Sequence, residues 1–282
     1  MEQNSAKRHF LFDLAERYPQ LALPVMEGMK QSEAFRDAVY RGKPIEAEPV
    51  FSFSEADTLT TVATPAGDAE VIFLENREDF EHAYRALAYF CEPEPILPSV
   101  GAVTISGLIN WAKIREHERR YREQGGSDWN AEFARFTADP ANFRDTILLL
   151  SSGDYSAIRG EQIGLEENEW RNLSVTIRKY HELTHFVCRK LYPEKKEALR
   201  DEIYADCIGL IAAFGEYRPD LARLFLGIEQ ETYRPGGRLE HYVKTDLAAE
   251  QKRAGELIDR AEEQCGRIAD RKDVFAVLQE IY

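Results

Sequence analysis

Two of the chain's six histidines stand four residues apart in "KYHELTHFVCRKLYP", with a glutamate beside the first: His181-Glu182-Leu183-Thr184-His185. On an α-helix, residues four apart project from one face, separated by a rise of about 6 Å. Two imidazoles so placed can both aim a ring nitrogen at one divalent ion, at about 2.0–2.1 Å for zinc. Glu182, one step round the helix, stays off the ion yet reaches a water bound to it. A Lewis acid, an activated water and a base to take its proton are the parts of a metal-dependent hydrolase. The H-E-x-x-H arrangement is the one that zinc metalloproteases place on a helix. The competing reading is a solvated histidine pair on a polar helix face.

A site with three protein ligands needs one more donor. "RDEIYADCIG" offers Glu202, with 16 residues between it and His185, enough for a turn and a returning helix. The spacing E-x-x-x-D is weak by itself, because Glu197/Asp201 and Glu216/Asp220 repeat it. Context separates Glu202 and Asp206 from the others: Leu199, Ile203, Leu210 and Ala213 share their helical face, so both acids lie in a stripe that faces the core. Burying an unpaired carboxylate is costly, and a metal or an imidazole N–H relieves the cost. An ordinary salt-bridge pair is the alternative.

"HELTH" followed by a second helix carrying "DEIYAD" resembles the gluzincin branch of the zincin metallopeptidases, the thermolysin-like arrangement, over residues 166–216. The resemblance implies a Zn²⁺ cofactor, His181, His185 and Glu202 as its ligands, and Glu182 as general base. It also implies that Asp206 orients one histidine from behind, and that the substrate is a peptide or protein. The metzincin pattern is disfavoured, since it needs Gly and His where this chain has Cys188 and Leu191. Peptidases of the gluzincin branch usually add a downstream His or Tyr to stabilise the oxyanion. His241 and Tyr242 are the candidates here, with Tyr233 and Arg238 nearby as further donors. Zincin-like domains also commonly run an edge strand along the cleft, to which an extended peptide can add. "TILLLSSGDYSAIRG" is placed for that, with Tyr155 at its end as a substrate contact; a strand that simply completes the core fits equally.

These residues need helices to carry them. "EENEWRNLSVTIRKYHELTHFVCRKLY" has apolar residues at helical spacing and Pro193 as its stop, and "EKKEALRDEIYADCIGLIAAFGEY" reads as the next helix. The last 35 or so residues read as amphipathic helix. Towards the N-terminus, 5–18 and 24–41 read as helices. "VFSFSE", "TLTTVAT" and "AEVIFLE" read as strands, with "TPAGD" as a turn between the last two. Asn76 is placed to cap a helix over 77–91. The proline-rich "CEPEPILPSVG" is a linker or crossover. "AVTIS" reads as a short strand, "GLINWAKIREHERRYREQGG" and 129–138 as helices, and "DTILLLSS" as a strand. The class expected is α+β: a predominantly helical zincin-like region with a small β-sheet. The divisions expected are an N-terminal helical and β-hairpin region over 1–92 and a metal-binding region over 93–282, or one continuous domain.

The formal net charge of −14, from 36 basic and 50 acidic residues, argues against a nucleic-acid backbone or an anionic membrane surface as partner. The N-terminal residues have no apolar core of a secretory signal and no stretch is long enough to span a bilayer, so the expectation is a cytoplasmic protein. Four scattered cysteines without a C-x-x-C pair suit free buried thiols. No motif speaks to oligomeric state. Three functions follow: a zinc-dependent hydrolase, most simply a peptidase; a non-catalytic zincin-like module whose metal is structural and whose cleft binds a peptide or partner; and a metal-free helical interaction protein.

Overall fold

The structure, a computed structural model, describes residues 8–47, 49–229, 232–243, 246–268 and 273–282. It is α+β, with a four-stranded mixed sheet, a two-stranded sheet and a preponderance of helix. Two compact units are present and neither is a continuous segment: Met1–Thr60, Glu70–Leu97 and Thr104–Leu149 form the first, Thr61–Ala69, Pro98–Val103 and Leu150–Tyr282 the second. The division read from sequence at residue 92 falls inside the first unit. No helix among the described residues is long and apolar enough to cross a membrane. All four cysteines are free and buried.

The first unit begins with α1 (Phe10–Arg17), capped by the His9 ring on the Leu11 N–H; residues 5–7 of the expected helix lie outside the described residues. The helix expected over 24–41 is instead a series of turns. Gly28 turns left-handed at φ 78°, a 3₁₀ turn follows, and Ser32 caps α2 (Glu33–Phe35), which continues as a π turn over Arg36–Tyr40. A positive φ and a fresh N-cap within four residues stop any helix propagating through.

The sheet takes β1 (Thr58–Val62), β2 (Ala69–Leu74), β3 (Ala102–Ile109) and β4 (Arg144–Ser151) in the order β1-β2-β4-β3. The Asn110 N–H donates to the Phe143 carbonyl at 2.8 Å and the Ser151 N–H to the Gly101 carbonyl at 2.8 Å, which fixes β3 and β4 as antiparallel. β4 is therefore an inner strand. Its run Ile147–Leu150 is buried throughout, as a strand covered on both faces requires. "VFSFSE", expected as a strand, is irregular: the Ser52 N–H is taken by the Asp79 carboxylate at 2.9 and 3.1 Å, the Ser54 N–H by Asp57 at 3.1 Å, and Phe53 has φ 54°. Backbone donors captured by carboxylates cannot serve a ladder. Asn76 does cap α3 (Arg77–Ala88), which ends short of 91 because Phe90 and Cys91 both adopt positive φ. β3 runs on into residues read as helix, and Asn110 then caps α4 (Trp111–Glu123), ahead of α5 (Trp129–Thr137). In this unit Asp145 accepts from Tyr18 Oη, Asn110 Nδ2 and Lys113 Nζ, each at 2.6 Å.

The second unit is built on α6 (Glu167–Leu191) and α7 (Ala198–Phe214), joined by a 3₁₀ turn at Pro193–Lys195. On α6 the buried positions Trp170, Ser174, Ile177, His181, Thr184 and Cys188 recur every three or four residues. The first motif histidine thus sits in the stripe that faces the core. α7 is buried on nearly every side from Ile203 to Ile211, as a central helix must be. Full burial of each Leu or Ile there contributes roughly 1.5–3 kcal/mol. The two helices meet closely at Gly209, where a Cβ would lie 2.8 Å from the Ile177 carbonyl oxygen. That approach brings the carboxylates of α7 to the imidazoles of α6. α8 (Pro219–Leu226), the ribbon of β5 (Ile228–Glu229) and β6 (Thr232–Tyr233), α9 (Leu247–Arg267) and α10 (Val274–Ile281) complete the unit. The continuous helical stretch expected at the end of the chain includes 269–272, outside the described residues.

Candidate metal centre

His181 and His185 turn their rings from α6 towards Glu202 in the second turn of α7. The two Nε2 atoms are 3.1 Å apart, Glu202 Oε2 is 3.4 Å from His181 Nε2, and Oε1 is 3.3 Å from His185 Nε2. One donor atom of each residue lies within 4.8 Å of the other two, the one such group among the described residues. An ion about 2.0–2.1 Å from each of three donors in a tetrahedral array sets those donors roughly 3.3 Å apart. The spacing fits zinc, as do two imidazoles and a carboxylate, a donor set found in catalytic zinc sites. A closed structural site has four protein ligands, whereas a catalytic one keeps a position open. Three donors converge here, and a cavity of about 340 Å³ opens beside His185 and Glu202.

Behind the donors lies a fully buried carboxylate. Asp206, 1% exposed, accepts from His181 Nδ1 at 2.9 Å and from the Tyr155 hydroxyl at 2.6 Å, and pairs with Arg238 through its other oxygen. A proton on Nδ1 directed at Asp206 leaves the Nε2 lone pair facing Glu202, the tautomer a metal ligand needs. Arg238 in turn donates to the Tyr155 hydroxyl and to Ser156 Oγ, each at 3.1 Å. Tyr155 is fixed by its own N–H on Ser174 Oγ at 3.0 Å, while Arg178 holds the carbonyls of Gly153 and Asp154 at 2.5 and 2.7 Å. Ser156 and Ala157 both take positive φ, 52° and 58°. For residues other than glycine such a turn is strained, and here Arg178 holds the carbonyls before it while Arg238 holds the Ser156 hydroxyl within it.

Protonation follows from this geometry. Burial pushes His181 down, but hydrogen bonds to Asp206 and Glu202 outweigh it and raise its pKa to about 10. Burial pushes Glu202 up, yet the two imidazoles hold it well below the usual carboxylate range. Asp206 is likewise depressed against its burial, by Arg238 and then by His181. Glu202 is thus a negative charge facing the two imidazoles, and a divalent cation held by the three donors would neutralise it.

Glu182, the expected base, lies half-buried on α6 between the two motif histidines. Tyr242, expected as an oxyanion donor, lies near the cluster: burial first, then the Glu202 carboxylate, raise its pKa against the opposing pull of Arg238. His241 does not reach the cluster. That ring is exposed, and its ring contact among the described residues is Tyr242, edge-on at 6.3 Å between centroids. Tyr155, expected to touch substrate at the end of a cleft-edge strand, is 6% exposed and buried behind His181, and β4 before it is flanked by β2 and β3. With both its neighbours in place, β4 has no free edge for a peptide to add to. Arg238, read from sequence as a further oxyanion donor, is instead the counter-charge of Asp206. No spacing rule links 238 to 206; the signal available was only that a buried carboxylate requires a cation.

The chain belongs to a family of unknown function, DUF7005, which it matches over residues 2–274. Neither a curated protein nor a solved structure matches it.

Proposed function

We propose that this protein is a zinc-dependent hydrolase of the gluzincin type, most simply a peptidase acting on a peptide or protein segment. The observation that carries the reading is the convergence of His181 Nε2, His185 Nε2 and the Glu202 carboxylate within 4.8 Å, with His181 held from behind by Asp206. Bound there, the ion would polarise a carbonyl and lower the pKa of a water at neutral pH. Glu182 accepts the proton of the attacking water and returns it to the leaving amine. Tyr242 lies near Glu202, and its hydroxyl is the candidate donor to the oxygen on which charge develops. Asp206, Tyr155 and Arg238 act through His181, keeping its tautomer and its direction.

The open side of the cluster favours this reading over a structural metal that staples α6 to α7. Elemental analysis of the purified chain is expected to find about one equivalent of zinc. Glu182→Gln is expected to keep that zinc and lose cleavage of a mixed peptide library by about 10²-fold or more. Metal-free protein that ignores added zinc would end the proposal. Unfolding on chelation, with no cleavage by the zinc-loaded chain, would transfer it to the structural alternative.

A further inference from the structure

The cavity of about 340 Å³ beside His185 and Glu202 has walls of unequal charge. It runs from the last turn of α6, at Cys188 and Arg189, past Lys196 and Glu197 to Asp201 on α7, and closes on Tyr282. Each acid in that wall is already engaged. Glu197 pairs with Arg253 at 2.5 Å and caps the Arg200 N–H. Asp201 accepts from the Tyr282 hydroxyl at 2.9 Å, the Glu197 N–H at 3.0 Å and Arg200 Nη2 at 3.1 Å. Glu202 faces the two imidazoles. The two cations differ: Arg189 and Lys196 are exposed and have no ion-pair partner among the described residues. Arg189 in the last helical turn also offsets the α6 dipole, which leaves unexplained a second cation on the same cavity. In a chain of net charge −14, the uncompensated charge of this pocket is positive.

We infer that this cavity takes a carboxylate of the substrate, next to the bond presented to His181, His185 and Glu202. The inference rests on the metallohydrolase reading and narrows its substrate class. A cationic group would have to draw Asp201 or Glu197 from partners they already hold, whereas an anion meets two donors with nothing to displace. The volume lies at the lower end of ligand pockets, about 300–1,000 Å³, so it suits one side chain or one terminal residue. The carboxylate can come from an internal acidic residue or from a chain end.

Three peptide hydroxamates of equal length separate these cases: one with an aspartate side chain and an amidated end, one with alanine and a free terminal carboxylate, and one with alanine and an amidated end. Their dissociation constants are measured by calorimetry on zinc-loaded and zinc-free protein, and on the Arg189→Gln/Lys196→Gln variant. At least one charged probe is expected to bind zinc-loaded wild type about tenfold tighter than the neutral probe. In the double variant that preference is expected to fall below about threefold, with neutral-probe affinity unchanged. The arm that wins assigns the source of the carboxylate. Equal binding of all three probes, or a preference that survives in the double variant, overturns the inference and leaves the metal reading standing. Neutral-probe binding that does not depend on zinc overturns both.

Discussion

Asp145 in the first unit and Asp206 in the second are built alike. Each is an aspartate, half-buried in the first case and fully buried in the second, that accepts a tyrosine hydroxyl at 2.6 Å and sits beside a cation, Lys113 for Asp145 and Arg238 for Asp206. They differ in what their partners touch next. Tyr18, Asn110 and Lys113 tie α1, α4 and β4 together. His181 has two ring nitrogens, and the one turned from Asp206 faces Glu202 and His185. The same holds for cavities: one of about 690 Å³ in the first unit is the larger of the two, yet among the described residues no cluster of three metal-binding side chains lines it, whereas the smaller one borders the donors. A carboxylate held by several donors therefore marks a site only when its partner carries the interaction onward.

Alanine at each aspartate tests that distinction most severely. Asp206→Ala leaves Arg238 buried without its counter-charge, a loss expected to cost about 3–5 kcal/mol, and loosens His181 enough to weaken zinc about 10–100-fold. Asp145→Ala is expected to cost less, about 1–3 kcal/mol, because Lys113 is 45% exposed and its ammonium can reach water. Zinc affinity should not change. Urea unfolding and competition with a chelator give both numbers for each variant. Equal losses of zinc affinity from the two substitutions would erase the contrast.

Sequence made the second network partly legible and the first not at all. H-E-x-x-H and the apolar stripe around Glu202 and Asp206 are local patterns, and α6 and α7 carry them where helical periodicity places them. Asp145 had no such pattern, since its partners lie 32 to 127 residues away in the chain. Non-local pairing also decided the outcome for β4: its apolar run is that of a strand, but sheet order alone makes it an inner one. Arg238 and Tyr242 approach the cluster from a turn after β6, where no periodicity aims a side chain. The broken stretch over 24–41 is a different matter. Gly28 and the cap at Ser32 were present in the sequence as stop and start signals, and overlaying them with one helical period hid the interruption.

A finer contrast removes one hydroxyl from each network. Tyr155→Phe and Tyr18→Phe each delete a hydrogen bond to a carboxylate, buried in the first case and half-buried in the second, and each is expected to lower stability by about 1–3 kcal/mol. They part in zinc binding. Without Tyr155, Asp206 and Arg238 lose a shared partner and the His181 ring is held less firmly, so affinity is expected to fall several-fold, below the 10–100-fold of direct partners. Tyr18→Phe should leave it unchanged. A Tyr155→Phe protein with wild-type zinc affinity would confine the positioning role to Asp206 alone.

The smallest effect expected is a change in how stability depends on pH. Burial raises the pKa of Asp145, but Lys113, Tyr18 and Asn110 outweigh it and hold the carboxyl below its usual value. A group depressed on folding binds fewer protons in the folded state, so its contribution is fully present above the unfolded pKa, about 3.9 for aspartate. It is lost as pH falls through the lower folded value. In Asp145→Asn that contribution is absent at every pH, and the new amide meets three donors with only one acceptor group. Wild type should therefore be the more stable protein at pH 7, with a gap that holds to about pH 5 and narrows below about pH 4. Denaturant midpoints measured in parallel across that range cancel the other carboxylates, which both proteins share. Parallel curves down to acid unfolding would mean that Asp145 keeps its ordinary pKa and that its three hydrogen bonds do not favour the charged form.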